Sequence, residues 1–151
     1  VTERRLLLVN GPNLNLLGTR EPAVYGTSTL ADVERIVADA AASRGYAIRA
    51  VQSNHEGVLI DEIHAARRDC QGIVINPGGL THTSVSLRDA LAGVALPVAE
   101  IHISNPRQRE PFRHFSYVEG VAVVHVAGEG VRGYQTATLR LIEVLTGQSD
   151  G

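Results

Sequence analysis

The sequence contains no lysine, no methionine and no tryptophan, and its only cysteine is Cys70. Without lysine, no Schiff base can form on a side-chain amine, and no P-loop lysine can meet a nucleotide phosphate. All 14 cationic side chains are therefore arginines. A single thiol excludes an intramolecular disulfide framework and a cysteine-built zinc site. No apolar run approaches the roughly 20 residues of a membrane helix. The formal net charge of −2 leaves no global basic field for nucleic acid or an anionic membrane. What is present is ordinary for a folded protein. Hydrophobic residues make up 44% and charged residues 20% of 151 positions, which argues against disorder and for one domain over residues 1–151 with a real core. The opening Val1-Thr2-Glu3-Arg4-Arg5-Leu6 lacks a signal peptide's hydrophobic region, so the expectation is a soluble, cytoplasmic chain.

Short apolar runs alternate with helical patterns along the chain. Leu6–Asn10, Tyr46–Val51, Gly72–Asn76, Pro97–Ile103 and Val121–Ala127 read as strands. Leu30–Ser43, Gly57–Arg68, Ser84–Ala92 and Tyr134–Leu145 read as helices, with Val33, Ile36, Val37 and Ala40 as one apolar stripe and Leu59, Ile60, Ile63 and Ala66 as another. Continuous β-branched strands imply burial on both faces, as in a parallel sheet covered by helices. The pattern predicts an α/β, flavodoxin-like three-layer fold with a five-stranded parallel sheet in the order 2-1-3-4-5. In such a fold, ligands sit beyond the carboxyl ends of the strands, near the switch between strands 1 and 3.

The residues expected at that rim are polar. Strand 1 runs into Asn10-Gly11-Pro12-Asn13, strand 3 into Asn76-Pro77-Gly78-Gly79 and then Thr81-His82-Thr83-Ser84, and strand 4 ends in Ser104-Asn105. Thr81, Thr83 or Ser84 can cap the next helix, and His82 there is a candidate ligand contact. Glu100 and His102 alternate on one strand, so their side chains share a face. A carboxylate beside an imidazole orients it and favours its charged form, which suits a general acid; a buried polar pair of purely structural use fits the same spacing. Gly18 and Gly26 bracket Arg20 and Tyr25 on a long loop, which is either a hinged lid or a passive surface segment. A guanidinium near a phenol favours the phenolate, so this pair can make a base. Arg107, Arg109 and Arg113 follow strand 4 and fit either an anionic substrate or a solvated face. Metal ligation is the weaker reading: His82 and His102 have no ligand spacing, and His55, His64, His114 and His125 are scattered.

Five segments together resemble type II 3-dehydroquinate dehydratase. They are Asn10 to Pro22 with Tyr25-Gly26, Gln52 to Gly57, Ile75 to Gly79 with Thr81 to Ser84, Glu100 to Asn105, and Arg109 to Arg113. The resemblance covers roughly residues 5 to 145. It implies loss of water from 3-dehydroquinate to give 3-dehydroshikimate, by anti elimination through an enolate, with no cofactor and no metal. It implies Tyr25 as the base, Arg20 as the cation that activates it, Asn13 as the holder of a water against the enolate oxygen, and His102 as the acid with Glu100 as its partner. Asn76, His82, Ile103, Ser104 and Arg113 match the substrate-binding set, with Ile103 and Ser104 acting largely through backbone amides. Asp89 matches a residue that reaches the site of an adjoining subunit, and the implied assembly is a homododecamer built from trimers. No nucleic acid or membrane partner is implied.

Two positions depart from the family pattern. Phe115 stands where histidine is usual, which bears on packing near Arg113, and Val58 replaces a frequent acidic residue. A different reading of the same fold is a binding or signalling module. Phosphoacceptor modules need an acidic cluster after strand 1, where this chain has Asn10 and Asn13. Flavin binders usually offer a hydroxyl-rich phosphate loop there, and Gly11 to Gly18 contains no hydroxyl side chain. A degenerate relative that binds without catalysis is a third possibility, although every expected catalytic residue type is in place.

Overall fold

The computed structural model describes residues 3–19, 23 and 26–147. Among the described residues, five strands and four α-helices follow in the order β1 (Arg5–Asn10), α1 (Leu30–Ala42), β2 (Ala47–Gln52), α2 (Glu56–Asp69), β3 (Gly72–Asn76), α3 (Val85–Val94), β4 (Val98–His102), β5 (Val124–Ala127) and α4 (Arg132–Thr146), with only 3-10 turns between β4 and β5. All strand pairs are parallel and the sheet order is β2-β1-β3-β4-β5, as the pattern predicts. The β1 residues Leu6, Leu7, Leu8 and Val9 are wholly buried because this central strand has a helical layer on each side. Leu6 and Leu8 join Val33, Val37, Tyr134 and Leu141 from α1 and α4. Leu7 and Val9 join Leu59, Ile63, Leu87 and Leu91 from α2 and α3. One strand thus feeds two cores by side-chain alternation alone.

Helix starts are set locally. Thr29 and Asp32 form a reciprocal capping box on α1, in which Asp32 Oδ2 accepts from the Thr29 amide at 2.9 Å and Thr29 Oγ1 from the Asp32 amide at 3.2 Å. Ser84 caps α3 by accepting from the Leu87 amide at 2.8 Å, and its hydroxyl also donates to Glu56 on α2. Among the three candidate caps, Ser84 is the one used. Thr81 is instead committed to the buried side of the rim.

Several boundaries shift by a residue or two. Tyr46 precedes β2, Pro97 and Ile103 flank β4, α3 extends to Val94, and α4 begins at Arg132. The larger correction is β5, which starts at Val124 instead of Val121. Residues Glu119–Val121 still turn in a 3-10 helix, with the Val121 amide donating to the Val118 carbonyl at 3.0 Å. A β-branched run does not show where the chain stops turning.

At the rim, Asn10 lies level with Asn76, Ile75 with Glu100, and Glu100 with His125. Gly11 keeps the first two loops close: its amide donates to the Asn76 carbonyl at 2.9 Å. A Cβ at Gly11 would lie 2.3 Å from the Pro77 carbonyl oxygen. Gly11→Ala is therefore expected to force the β1 and β3 loops apart. Urea unfolding should show a cost of about 1–3 kcal/mol, the range for overpacking a rigid site, together with a raised KM.

Candidate active site

The rim is organised around a buried carboxylate. Glu100 is wholly buried on β4. Its Oε2 accepts from His102 Nε2 at 2.5 Å, from Ser116 Oγ at 2.8 Å and from Thr81 Oγ1 at 3.0 Å. Burial alone pushes this carboxyl up. The His102 hydrogen bond and charge, the Ser116 hydroxyl and the charge of His125 outweigh burial and hold it below the ordinary glutamate range. Glu100 is thus the anionic partner of His102. It engages Nε2 and fixes the ring, leaving Nδ1 as the nitrogen it does not hold.

His82 stands opposite, in the 3-10 turn after β3. Its Nδ1 donates to the Phe115 carbonyl at 2.7 Å. Burial lowers its pKa, the charges of His102 and Arg113 act the same way, and the Phe115 carbonyl only partly opposes them. His82 is therefore a neutral hydrogen-bonding group near neutral pH. The Phe115 ring is 61% exposed and packs edge-on to Tyr117. The residue that departs from the family pattern therefore meets His82 through its backbone, which any residue supplies.

Asn76 is anchored from below. Its Nδ2 donates to the Tyr134 hydroxyl at 2.7 Å, the hydroxyl donates to Asn10 Oδ1 at 2.7 Å, and Asn76 Oδ1 accepts from the Gly78 amide at 3.1 Å. Burial raises the Tyr134 phenol well above its ordinary value, so it acts as a neutral bridge. Asn13 adopts the left-handed conformation at φ 72°, and its amide donates to Asn54 Oδ1 at 2.9 Å.

Asn13, Asn76, His82, His102, Ser104, Arg109 and Arg113 line one cleft of about 190 Å³. An adjoining cleft of about 320 Å³ shares His82, His102 and Arg113 and adds Thr81, Ser116 and His125. Arg113 is held by Glu110 at 2.8 Å, and Arg109 donates to Ser104 Oγ at 3.4 Å. Arg107 pairs with Glu119 at 3.4 Å and lines only the second of the two. Ile103 is buried, accepts from the Gly130 amide at 3.0 Å and borders an open groove with Ser104. Asp89 lies apart, on the exposed side of α3 beside His64 and Arg67. Arg20 and Tyr25 lie outside the described residues.

Some participants escaped sequence reading. Tyr134 opens a helix and reads as core, and Ser116 sits in an irregular segment, so neither carried a motif signal. His125 corrects an expectation. By sequence it is one of several scattered histidines, but pairing of β4 with β5 sets it level with Glu100. Ligand atoms of Glu100, His102 and His125 all lie within 4.8 Å of one another.

An all-parallel sheet in the order β2-β1-β3-β4-β5, with a polar cleft at the carboxyl ends of its strands, defines a flavodoxin-like α/β protein whose candidate site lies where that class places its ligands. The family described as dehydroquinase class II matches residues 4–142. The chain is 60% identical over 135 residues to 3-dehydroquinate dehydratase of Herminiimonas arsenicoxydans, covering 89% of this chain and 93% of that protein. It is 58% identical over 142 residues to catabolic 3-dehydroquinase 2 of Aspergillus flavus, covering 94% and 95%. The crystal structure of type II dehydroquinase from Butyrivibrio crossotus matches with a TM-score of 0.88 at 41% identity, covering 95% of this chain and 98% of that one. This chain belongs to the class II dehydroquinase family and is a hydro-lyase. Membership sets it with these enzymes and apart from the binding and signalling modules considered above.

Proposed function

We propose that this chain converts 3-dehydroquinate to 3-dehydroshikimate by anti elimination through an enolate, with Tyr25 as base and His102 as acid. The observation that carries the reading is the buried Glu100–His102 pair, whose imidazole lines a cleft with Arg113, Asn76 and Asn13. The Tyr25 phenolate, favoured by Arg20, takes a C2 proton, and the electron pair moves onto the carbonyl oxygen. Asn13 holds a water against the charge that develops there, and preorganised donors of this kind stabilise an enolate. The enolate then collapses and expels the hydroxyl group, which leaves as water with a proton from His102. Base and acid come from different segments, so they can address opposite faces of the ring.

Asn76, His82, Ile103, Ser104 and Arg113 bind the substrate in this reading. Arg113 contacts ring hydroxyls, and the carboxylate rests near the Ile103 and Ser104 amides. In this reading the base, the acid and the water-holding group are all side chains of the protein, so the proposal includes no cofactor. Assembly into a homododecamer of trimers, with Asp89 reaching a neighbouring site, belongs to the same proposal, as does a cytoplasmic location. No helix among the described residues is long and apolar enough to cross a membrane. Biosynthesis and quinate breakdown need the same dehydration.

The test is direct. Protein is mixed with 3-dehydroquinate and the conjugated enone of the product is followed by ultraviolet absorbance, before and after borohydride treatment. Product formation at an unchanged rate after borohydride is the expected result, because a lysine-free chain has no imine to trap. Absence of product from folded protein, or loss of the rate after borohydride, would overturn the proposal.

A further inference from the structure

Glu100 Oε1 is buried and has no hydrogen-bond partner among the described residues. It faces His125 Nε2 at 3.7 Å, while Oε2 of the same carboxylate meets His102 Nε2 at 2.5 Å. A wholly buried carboxylate oxygen without a donor is uncommon, and here both oxygens are turned toward imidazole nitrogens. We propose that Glu100, His102 and His125 form a binding site for a divalent transition ion of the zinc type, and that occupancy of this site inhibits the enzyme.

Two imidazoles and one carboxylate are a borderline donor set that suits zinc, cobalt or nickel and leaves a position for water. Magnesium and calcium prefer all-oxygen shells and are not expected to compete. Ligand bonds of 2.0–2.1 Å around a tetrahedral ion place neighbouring ligand atoms about 3.3 Å apart. The present spread of up to 4.8 Å closes by rotation of His125, whose side chain is 33% exposed and has room to move. The short His102–Glu100 contact opens in exchange, because the ion replaces the proton between them and that proton goes to solvent. Glu119 adds negative charge, with Oε1 at 3.9 Å from His125 Nε2, although Arg107 partly offsets it. Arg113 faces the same clefts, with its guanidinium held by Glu110.

An imidazole that ligates a metal is neutral and cannot also be the imidazolium that delivers a proton. The inhibition therefore rests on His102 being the acid, whereas ion binding does not. The first measurement is accordingly a titration of substrate-free protein with cobalt(II), read by its visible absorbance. The second is turnover against zinc, followed by a chelator. His125→Gln removes the third ligand and keeps a polar side chain, His125→Val is the apolar alternative, and His64→Gln controls for surface histidines.

A one-to-one cobalt band is expected in the parent and in His64→Gln and is expected to vanish in both His125 variants. Zinc should lower parent turnover at least tenfold, reversibly, and the His125 variants should be at least tenfold less sensitive, each measured against its own zinc-free rate. A missing cobalt band in the parent, or an equal band in either His125 variant, overturns the site. A band that depends on His125 without inhibition upholds the ion site and counts against His102 as the acid.

Discussion

Replacing Tyr25 with phenylalanine is expected to lower kcat by about 10²- to 10⁴-fold, the range for loss of a general acid or base. That corresponds to roughly 3–5 kcal/mol in the barrier. KM should change little, because only the hydroxyl is removed. A free tyrosine with a pKa of about 10 is ionised in roughly one molecule per thousand at neutral pH, a deficit near 4 kcal/mol. Arg20 is the residue proposed to reduce that deficit. Arg20→Ala should therefore move the midpoint for base activation to higher pH and leave residual activity that recovers as pH rises. Tyr25→Phe should show no such recovery. Steady-state rates across pH separate the two, and full turnover by Tyr25→Phe would remove it from the mechanism.

His102→Gln is expected to cost kcat a comparable factor, about 10² to 10⁴. Glutamine is the informative replacement because its amide can still donate to Glu100, whereas alanine would strand a buried charge. Glu100 binds His102 through Nε2, so the glutamine amide falls near the donor it replaces. Loss of turnover without loss of fold then isolates the proton delivery. Wild-type turnover by folded His102→Gln would refute the assignment.

Glu100 itself predicts a pH effect on stability. Its folded-state pKa is depressed, so the unfolded chain binds more protons as pH falls. The resulting stabilisation is present above the unfolded value, about 4.3 for a glutamate, and is lost as pH drops through the lower folded value. Urea midpoints of the parent should fall in that acidic window, and Glu100→Gln should flatten this part of the dependence.

The fold was legible because its signals are local and periodic. Runs such as Leu6–Val9 and Ile73–Ile75 can be buried on both faces only in the middle of a covered sheet, and the amphipathic stripes of α1 and α2 supply the cover. Right-handed crossovers between parallel strands narrow the strand order to a few doubly wound arrangements, of which 2-1-3-4-5 is the one observed. Boundaries were less legible: Val121–Val123 has the composition of a strand, but hydrogen bonds of a 3-10 turn claim its first residue.

For the site, Glu100 and His102 could be placed on one face from spacing alone, because a strand alternates its side chains. Asn13, Asn76, His82, Ser104 and Arg113 could be assigned to one rim, since parallel strands bring their carboxyl ends together, and the described residues do line one cleft there. That Glu100 gathers Thr81, Ser116 and His125 could not be read from the chain. Nor could the Asn10–Tyr134–Asn76 bridge, whose members Asn10 and Tyr134 are 124 positions apart. The layers and the polar character of the rim are written in the chain, since periodic burial and residue chemistry are local properties. Which oxygen of Glu100 holds His102 and which is left facing His125 emerges only on folding, because such contacts depend on the distance between side chains from separate strands and loops.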